Sequence, residues 1–339
     1  MSTLNTILID FKLTPGWGLA RTLARATGEE WIIEQRQTNQ FHGSPVANVW
    51  RMMWYFLFPL QVVLRRKRYR RIVAWQQFFG LNYAFWCRLL HLRKVSDLTV
   101  LTFIYKRKPG FLGNLYLRYM TYCVNSPYVD RIVCYSREER ELYAAAFGTR
   151  PERFVHLQLG IAPIERPNCD DRGYIFASGR SNRNYDFLLD VLRGTTHKCV
   201  IACDNYTPRH PYDNVTVLHD CFDEQMIDMM AHCRCVAIPL KDATVSSGQL
   251  VILQAMSLGK PVICSDVAGI KDYVEPGTAV MIPNDVAAWR DALLRLFTDE
   301  AFARQIAGQG HELFLSRFSE QAMHERIARV VANSCCYGR

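Results

Sequence analysis

The feature that most constrains this 339-residue chain is an alternation of short apolar runs with helical segments, in two successive series. In the first series, strands are predicted at 5–11, 71–75, 98–104, 131–135 and 154–157, with helices notably at 113–124 and 138–146. In the second, strands are predicted at 174–177, 197–202, 215–218, 236–239, 261–264 and 280–282, with helices at 185–192, 223–232, 249–258, 287–296 and 301–315. Strands that alternate with helices form parallel sheets. The chain is therefore predicted to be α/β, with two doubly wound, Rossmann-like domains.

The boundary between the two series is predicted where Gly, Pro, Asn and Asp cluster, over 160–172. A chain of 339 residues is too long for one ordinary core and fits two domains of similar size. We expect an N-terminal domain at 1–165 and a C-terminal domain at 166–320, facing a central cleft. Residues 321–339 are expected to form a helix or tail that packs back toward the N-terminal domain.

The charge of the chain is unevenly distributed. Residues 1–165 carry 23 Lys and Arg against 11 Asp and Glu, whereas the rest carries 18 against 21. The basic half should therefore meet something anionic: a membrane surface, a phospholipid-linked substrate or nucleic acid. Nucleic acid is not expected, because no recognition motif accompanies the charge. Hydrophobic residues make up 49% of the chain, which excludes a disordered protein.

The twelve cysteines form no CxxC pair. Cys233 and Cys235, and the adjacent Cys335 and Cys336, lack metal-ligand spacing, so no metal site is predicted. Buried, reduced thiols in a cytoplasmic protein are the expectation. The N-terminus reads as a first strand rather than a signal peptide.

An aromatic and apolar segment at 46–64 precedes a basic cluster at 65–71. Three interpretations stay open: an amphipathic helix at a membrane interface, a helix packed on the sheet, and a membrane span, although the last needs about 20 apolar residues without interruption. The first interpretation places the protein on the cytoplasmic face of the inner membrane. Its predicted membrane contacts are Trp50, Trp54, Phe58, Arg65, Arg66, Lys67 and Arg68.

The strongest local pattern lies at 245–266, where a small polar loop leads into a helix at 249–258. The amide groups that begin such a helix are unpaired, and its dipole favours an anion. Gly248 would let a phosphate approach, while Ser246 and Ser247 add hydroxyl groups and Gln249 adds its backbone amide. Gln254 lies in an apolar stretch of this helix and must find a partner, either a neighbouring loop or a ligand hydroxyl pair.

Further candidates follow other strands. Gly179 is predicted to allow close approach of a ligand, and Arg180 and Arg183 offer forked donors for a diphosphate. Phe222 either flanks a base or belongs to the core. In the first half, the loop at 14–18, with Gly16, connects a strand to a helix as in nucleotide-binding folds.

Taken together, the Ser-Gly-Arg at 178–180, the block at 248–263, the segment 265–274 and the pairs at 276–277 and 282–283 resemble the donor-binding domain of GT-B glycosyltransferases. The likeness is to the retaining family 4, or group 1, and covers roughly 174–320. The first half is similar only in broad layout. The family has paired glutamates at the positions of Ser246 and Gln254, and a basic residue at the position of Tyr185.

The resemblance implies GT-B architecture and transfer of a sugar from a UDP- or GDP-linked donor to a hydroxyl of a glycan or lipid-linked acceptor, in cell-surface polysaccharide assembly. Arg180 and Arg183 would act on the leaving diphosphate, and Gln254 would hold the ribose. The nucleotide sugar is a substrate, and neither cofactor nor metal is expected. A retaining outcome is implied, whereas an inverting enzyme needs a base, for which Asp10 is a candidate. The alternatives are an inactive nucleotide- or glycan-binding module in a biosynthetic complex and a nucleotide-sugar epimerase of the same fold.

Overall fold

The computed structural model describes residues 4–14, 16–38, 45–166, 169–241 and 247–333. The chain divides into two compact units, the first comprising Met1–Leu157 with His324–Arg339 and the second Gln158–Met323. The sequence placed these boundaries at 165/166 and 320/321.

Unit 1 is built on a six-stranded parallel sheet in the order β2-β1-β3-β4-β5-β6. The strands are β1 (Leu4–Ile9), β2 (Trp31–Gln35), β3 (Tyr69–Ala74), β4 (Asp97–Val100), β5 (Arg131–Cys134) and β6 (Phe154–His156). The connecting helices are α1 (Leu19–Thr27), α2 (Pro45–Leu64), α3 (Gln77–Leu89), α4 (Gly110–Val124) and α5 (Arg137–Phe147). The strands form because runs such as Ile7–Ile9 are apolar throughout and are covered on both faces of the sheet.

Unit 2 repeats this plan with the strand order β12-β11-β10-β7-β8-β9, again parallel. The strands are β7 (Tyr174–Ser178), β8 (Lys198–Ala202), β9 (Val215–Leu218), β10 (Cys235–Ile238), β11 (Val262–Ser265) and β12 (Val280–Ile282). The helices are α6 (Tyr185–Leu192), α7 (Asp223–Ala231), α8 (Gln249–Ser257), α9 (Ala268–Lys271), α10 (Val286–Thr298) and α11 (Glu300–Leu313). The prediction of an α/β chain with two Rossmann-like units is confirmed.

A last helix, α12 (Glu320–Ala332), begins in unit 2 and continues in unit 1 from His324. Its buried residues include Ile327, Ala328 and Val331. The guanidinium of Arg131, at the start of β5, donates to the carbonyl of Val330 at 2.7 Å. The helix is therefore an integral part of unit 1.

The 46–64 segment forms α2, a 20-residue helix with Pro59 inside it. Among the residues that the structure describes, no helix, α2 included, is long and apolar enough to cross a membrane. One side of α2 packs into the core of unit 1, since Tyr55, Val62 and Val63 are buried there. Val46, Val49, Trp50 and Leu64 are at least half exposed.

Phe58 corrects one of the membrane-contact predictions. Its side chain is 5% exposed and lies against the Phe79 ring, with centroids 4.7 Å apart. It is a core residue because it falls on the side of α2 that faces α3. Trp50 is exposed, whereas Trp54 is partly covered by the Arg36 guanidinium, 3.3 Å from its ring centroid.

The predicted basic contacts follow the C-terminal end of α2. Arg65 is paired with Glu34 at 2.7 Å, and its side chain is 43% exposed. Arg66, Lys67 and Arg68 form a short turn that leads into β3. They therefore lie beside the amino end of that strand.

Candidate functional site

The strand order of unit 2 has a switch point between β7 and β10. From β7 the chain moves outward through β8 and β9, then returns to the other side of β7 to form β10, β11 and β12. Open α/β sheets bind ligands at the carboxyl ends of the strands, where the order reverses. The described residues at that point are 179–184, after β7, and 239–241 with 247–248, after β10.

These two loops are bonded to each other. The Asn184 amide donates to the Pro239 carbonyl at 2.9 Å, and the Lys241 amide donates to the Asn182 carbonyl at 3.1 Å. The Asn182 side chain donates to the Ser247 hydroxyl oxygen at 3.1 Å. Ser246, a predicted donor contact, lies outside the described residues. The described parts of the two loops form one connected surface at the start of α8.

Gly248 caps the start of α8 with φ +90°, a conformation that favours glycine. A Cβ here would lie 3.1 Å from Cγ2 of Ile238 and 3.3 Å from Cδ1 of Ile270. Gly248 therefore fits a close approach between α8 and its neighbours as well as a turn. The first-turn amides of α8 follow directly, and such groups have no acceptor within a helix.

Gln249 is buried, and its side-chain amide donates to the Gly269 carbonyl at 3.3 Å, which ties the start of α8 to α9. This contact involves the side chain of Gln249, whereas the sequence assigned its backbone amide to the diphosphate. The nearby end of β10 is held in turn by Ser265, whose hydroxyl accepts from the Leu240 amide at 2.8 Å and donates to the Asn284 side chain at 2.6 Å. Both sets of contacts fix the position of the helix start.

Arg183 corrects the prediction of a second diphosphate-binding guanidinium. It is 8% exposed, and it donates to the carbonyls of Ser178 and Ser181, each at 2.8 Å. Burial lowers its pKa from the ordinary value. The Tyr185 hydroxyl, also buried, donates to the Gly179 carbonyl at 2.7 Å. Both side chains hold the loop from beneath rather than face outward.

Gly179 lies close to the Arg183 guanidinium. Its φ is +110°, and a Cβ would fall 2.6 Å from the Arg183 guanidinium. The missing side chain makes room for Arg183, and the predicted close approach of a ligand to Gly179 stays a prediction.

Arg180, in contrast, points out of the loop with 60% of its side chain exposed. Its Nε lies 2.7 Å from a carboxylate oxygen of Asp204, which follows β8. Its guanidinium carbon lies 5.7 Å from the ring centroid of Phe222, which follows β9 and is 45% exposed. The three residues come from the carboxyl ends of three adjacent strands. They form an accessible cation beside an aromatic ring, so Phe222 is not a core residue.

Gln254 lies further along α8 and is partly buried. Its Oε1 is buried without a hydrogen-bond partner among the described residues. An unpaired buried carbonyl oxygen costs about 1–3 kcal/mol. This oxygen of Gln254 therefore forms no hydrogen bond to a neighbouring loop among the described residues.

Unit 1 also has a switch point, between β1 and β3. Asp10 follows β1, and its carboxylate accepts from Gln76 Nε2 at 3.2 Å; the same Nε2 lies 3.2 Å from the Tyr55 hydroxyl. Burial raises the pKa of Asp10, while the hydrogen bond from Gln76 acts in the opposite direction. Gly16 is exposed in the chain beyond Asp10 and has φ +96°. A Cβ at this position would have no atom within 4 Å.

An aromatic cluster borders the Asp10 site and was not predicted. The Phe11, Trp17 and Trp75 rings contact each other edge to face, with centroids 5.6–5.8 Å apart. All three are partly exposed. The signal available in the sequence was that aromatic residues directly follow β1 and β3, which only the strand pairing brings together.

Two further observations concern other possible sites in the protein: a cavity in unit 2 and clusters of metal-ligating side chains. A cavity of about 760 Å³ in unit 2 is lined by Asp220, Glu224 and Asp228 together with Arg166 and His219, and Arg166 is paired with Glu224. Within the described residues there is no cluster of three or more His, Cys, Asp or Glu side chains arranged to hold a metal ion.

The second half of the chain matches a known protein family. Residues 173–299 match the family described as Glycosyl transferases group 1. The chain is 24% identical over 186 residues to alpha-D-kanosaminyltransferase from Streptomyces kanamyceticus, a match that covers 49% of this chain. The chain spans about half of the length of that curated relative, 47%.

Two solved structures match along nearly the whole chain. HepE of Anabaena, in complex with UDP-glucose, superposes with a TM-score of 0.64 at 14% identity, covering 97% of this chain and 99% of that one. WaaG, a glycosyltransferase involved in lipopolysaccharide biosynthesis, superposes with a TM-score of 0.59 at 15% identity, covering 97% and 99%. At these identities the likeness concerns the fold, which is GT-B.

Proposed function

We propose that this chain, whose residues 173–299 are a group 1 glycosyltransferase domain within a GT-B fold, transfers a sugar from a nucleoside-diphosphate donor to an acceptor hydroxyl. The observation that carries the proposal is the site at the switch point of unit 2. There, within the matched domain, the start of α8, the exposed Arg180 and the unpaired Oε1 of Gln254 occur together.

The donor groups have a consistent assignment. The diphosphate binds at the first turn of α8, where the helix dipole favours an anion, and Arg180 supplies a charged donor. Phe222 flanks the base, and Oε1 of Gln254 accepts from a ribose hydroxyl. In this proposal the nucleotide sugar is a substrate, and no separate cofactor is assigned. UDP is the first candidate, since HepE was solved with UDP-glucose.

In the reaction, the bond between the anomeric carbon and the diphosphate oxygen breaks, and a bond to the acceptor oxygen forms. The acceptor hydroxyl loses its proton. Catalysis is then mainly positioning and stabilisation of the charge on the departing diphosphate. We propose a retaining outcome, in which that diphosphate takes the proton. An inverting outcome would require a protein base, for which Asp10 is the candidate.

The acceptor is proposed to bind unit 1. Trp17 and Trp75 present ring surface suited to the apolar face of a sugar, beside the Asp10 carboxylate. A lipid-linked glycan of cell-surface polysaccharide assembly suits the basic charge of this unit. The protein would then be peripheral on the cytoplasmic face of a membrane, held through a surface of unit 1.

A donor screen tests the proposal. The full chain is mixed with UDP- and GDP-sugars, and binding is measured by calorimetry and hydrolysis by release of the nucleotide. Arg180→Ala should weaken donor binding about 10- to 100-fold, because a charged hydrogen bond contributes about 1.5–3 kcal/mol. Arg193→Ala is the matched control, since Arg193 is equally exposed and paired with Asp190 at 2.9 Å. Equal affinity of both variants would remove Arg180 from the site.

A second candidate function is a nucleotide- or glycan-binding module without catalysis. Two residues favour this module, because the resembled family has a glutamate at each position. They are Ser246 and Gln254. Donor binding without turnover, with lipid-linked acceptors supplied, would support this module. Turnover with a defined product would exclude it, and the anomeric configuration of that product, read by NMR, decides between retention and inversion.

A further inference from the structure

The start of α4 carries an unusual concentration of exposed apolar side chains. Phe111 is 82% exposed and Leu112 77%, and Ile104 and Leu115 are 63% and 55% exposed. Single exposed apolar residues are ordinary, but grouped ones mark interaction sites. The sequence did not single out this segment, because only the structure shows which side of α4 is left uncovered.

The segment is anchored, so its apolar residues are held outward. Gly113 is buried beneath the chain at Lys108, where a Cβ would fall 2.0 Å from the carbonyl oxygen. The Tyr105 and Tyr116 rings stack with centroids 5.9 Å apart, and Tyr105 also contacts the core residue Phe147 at 4.7 Å. These contacts fix 104–118 onto the body of unit 1.

Cations surround these apolar residues. Lys106, Arg107, Lys108 and Arg118 are exposed, and no Asp or Glu occurs between Asp97 and Asp130. None of the four forms an ion pair with a residue that the structure describes. The Lys108 ammonium lies 5.0 Å from the Tyr116 ring centroid, so its charge remains available. Apolar tips with a basic surround are typical of a surface that enters an anionic lipid interface.

The first turns of α2 lie at the same edge of unit 1. Both helices follow strands of one parallel sheet, so both begin at its carboxyl edge. Phe56 of α2 and Tyr119 of α4 are in contact, with centroids 6.1 Å apart. At about 1.5 Å per residue, Trp50 and Phe111 lie about 9 and 12 Å beyond this contact toward that edge. Trp50 is 51% exposed.

We propose that residues 104–118, together with the exposed start of α2, form the surface through which unit 1 inserts into an anionic lipid bilayer. The cations that accompany Trp50 are then Lys106, Arg107 and Lys108. Arg65–Arg68 follow the opposite end of α2, about 20 Å further along the helix. A second copy of the chain is disfavoured as the occupant, because it would bring two unpaired basic sets together. The inference depends on the geometry of unit 1 and not on the proposed reaction.

Vesicle co-sedimentation of the full chain tests the proposal. Wild type should bind vesicles that contain phosphatidylglycerol and should bind phosphatidylcholine vesicles weakly. Phe111→Ser with Leu112→Ser should weaken binding at least about tenfold through lost apolar insertion. Neutralising Lys106, Arg107 and Lys108 to Gln should weaken it about a hundredfold at low salt. Leu294→Ser, at a position 53% exposed in unit 2, is the matched control and should bind as wild type.

Three results would overturn the proposal: no binding of wild type to anionic vesicles, unchanged binding of the Phe111/Leu112 variant, or loss of binding only when Arg65–Arg68 are neutralised. Sedimentation velocity without lipid is run in parallel, and a wild-type dimer that this variant abolishes would assign the surface to a second copy. Far-UV circular dichroism of each variant reports that the chain is folded, and nucleotide binding is measured alongside. The nucleotide measurement keeps the lipid result separate from the proposed reaction, since donor binding can fail while vesicle binding succeeds.

Discussion

At the scale of single residues, a substitution at Gln254 should affect the stability of the protein and its donor binding in different directions. The Oε1 of Gln254 is buried without a partner, so the folded protein carries a cost that a ligand hydroxyl would remove. Gln254→Leu should therefore leave the free energy of unfolding unchanged or raise it by about 1 kcal/mol. The same change should weaken nucleotide-sugar binding about tenfold, through the lost hydrogen bond.

Urea unfolding and calorimetry measure the two effects on the same variant. Gln254→Glu is the control, because it keeps an acceptor oxygen at the same reach and should retain binding. A Gln254→Leu protein that is less stable by more than 1 kcal/mol but binds normally would mean that the side chain serves the fold instead.

Asp10 provides a prediction with a defined pH dependence. Burial raises the pKa of its carboxyl group above the ordinary 3.8. The folded state therefore holds the proton more tightly than the unfolded state, and ionisation of Asp10 lowers stability as the pH rises through the folded pKa. Asp10→Asn keeps an acceptor for Gln76 without the charge, so it should equal or exceed wild type in stability at pH 7.5. This advantage should shrink as the pH falls.

Urea unfolding of both proteins at a series of pH values is the measurement. If Asp10 also meets the acceptor, the Asn variant should lose transfer activity while it keeps donor binding. A variant that is clearly less stable at pH 7.5 would show that the carboxylate contributes favourable contacts that outweigh its burial.

The two arginines after β7 mark the limit of what the sequence could predict about the site. Both follow a strand end and precede a helix, and on that basis both were assigned to a diphosphate. Positive φ angles at Gly179 and Asn182 turn the loop so that Arg183 faces inward and Arg180 outward. The sequence indicates that a turn is present, but the direction of each side chain depends on contacts with β10 that are distant in the chain.

At the scale of elements, α8 is bounded by two glycines that differ in one respect. Gly248 at its start and Gly259 just beyond its end both have positive φ, at +90° and +63°. A Cβ at 248 meets Ile238 and Ile270 side chains, whereas a Cβ at 259 meets nothing within 4 Å. Gly259→Ala should cost only the left-handed backbone penalty, about 1–2 kcal/mol. Gly248→Ala should cost more, and it should also weaken donor binding because the start of α8 must shift.

Thermal unfolding and donor titration of the two alanine variants check this pair. Comparable destabilisation with comparable donor affinity in both would show that the helix start is not part of the binding surface. Loss of affinity in the Gly248 variant alone is the expected result.

The elements that the sequence predicted well are those with uniform burial. The strand at 131–135 appears as β5 (Arg131–Cys134), and the helix at 185–192 as α6 with the same bounds. β2 and α3 were not predicted. Two of the five β2 residues are polar, and α3 mixes aromatic with polar residues, so neither shows a clear period. Their structure depends on pairing with β1 and packing against α2, which are tertiary effects.

At the scale of the whole molecule, residues 1–165 are basic, whereas positive and negative charges nearly balance in the rest of the chain. This distribution is consistent with different binding roles for the two units. The proposed lipid surface and the proposed acceptor groups belong to unit 1, and the proposed donor groups belong to unit 2. Composition predicted that unit 1 meets something anionic, but it could not show where. Lys106, Arg107 and Lys108 are distant in sequence from the exposed apolar residues of α2. Only the sheet brings the starts of α2 and α4 to one edge.

The stability of the whole chain should depend on pH through His324 on α12. The side chain is 1% exposed, its ring lies 5.7 Å from the Trp17 ring, and its Nε2 has no hydrogen-bond partner among the described residues. Burial lowers the pKa of His324 from 6.5 to about 4. The unfolded chain therefore binds a proton below pH 6.5 that the folded chain does not, so stability is full above pH 6.5 and falls as the pH drops toward 4.

Over that interval the histidine should remove up to about 3 kcal/mol from the free energy of unfolding. His324→Leu has no proton to bind and should show a flatter dependence between pH 6.5 and 4, measured by urea unfolding across the range. His210→Leu is the control, since His210 is exposed, and it should follow wild type. A His324→Leu profile parallel to wild type would assign the acid sensitivity of the chain to other groups. A flatter profile would identify docking of α12 onto the loop after β1 as the contact that acid releases first, because protonated His324 cannot remain against Trp17 without a partner.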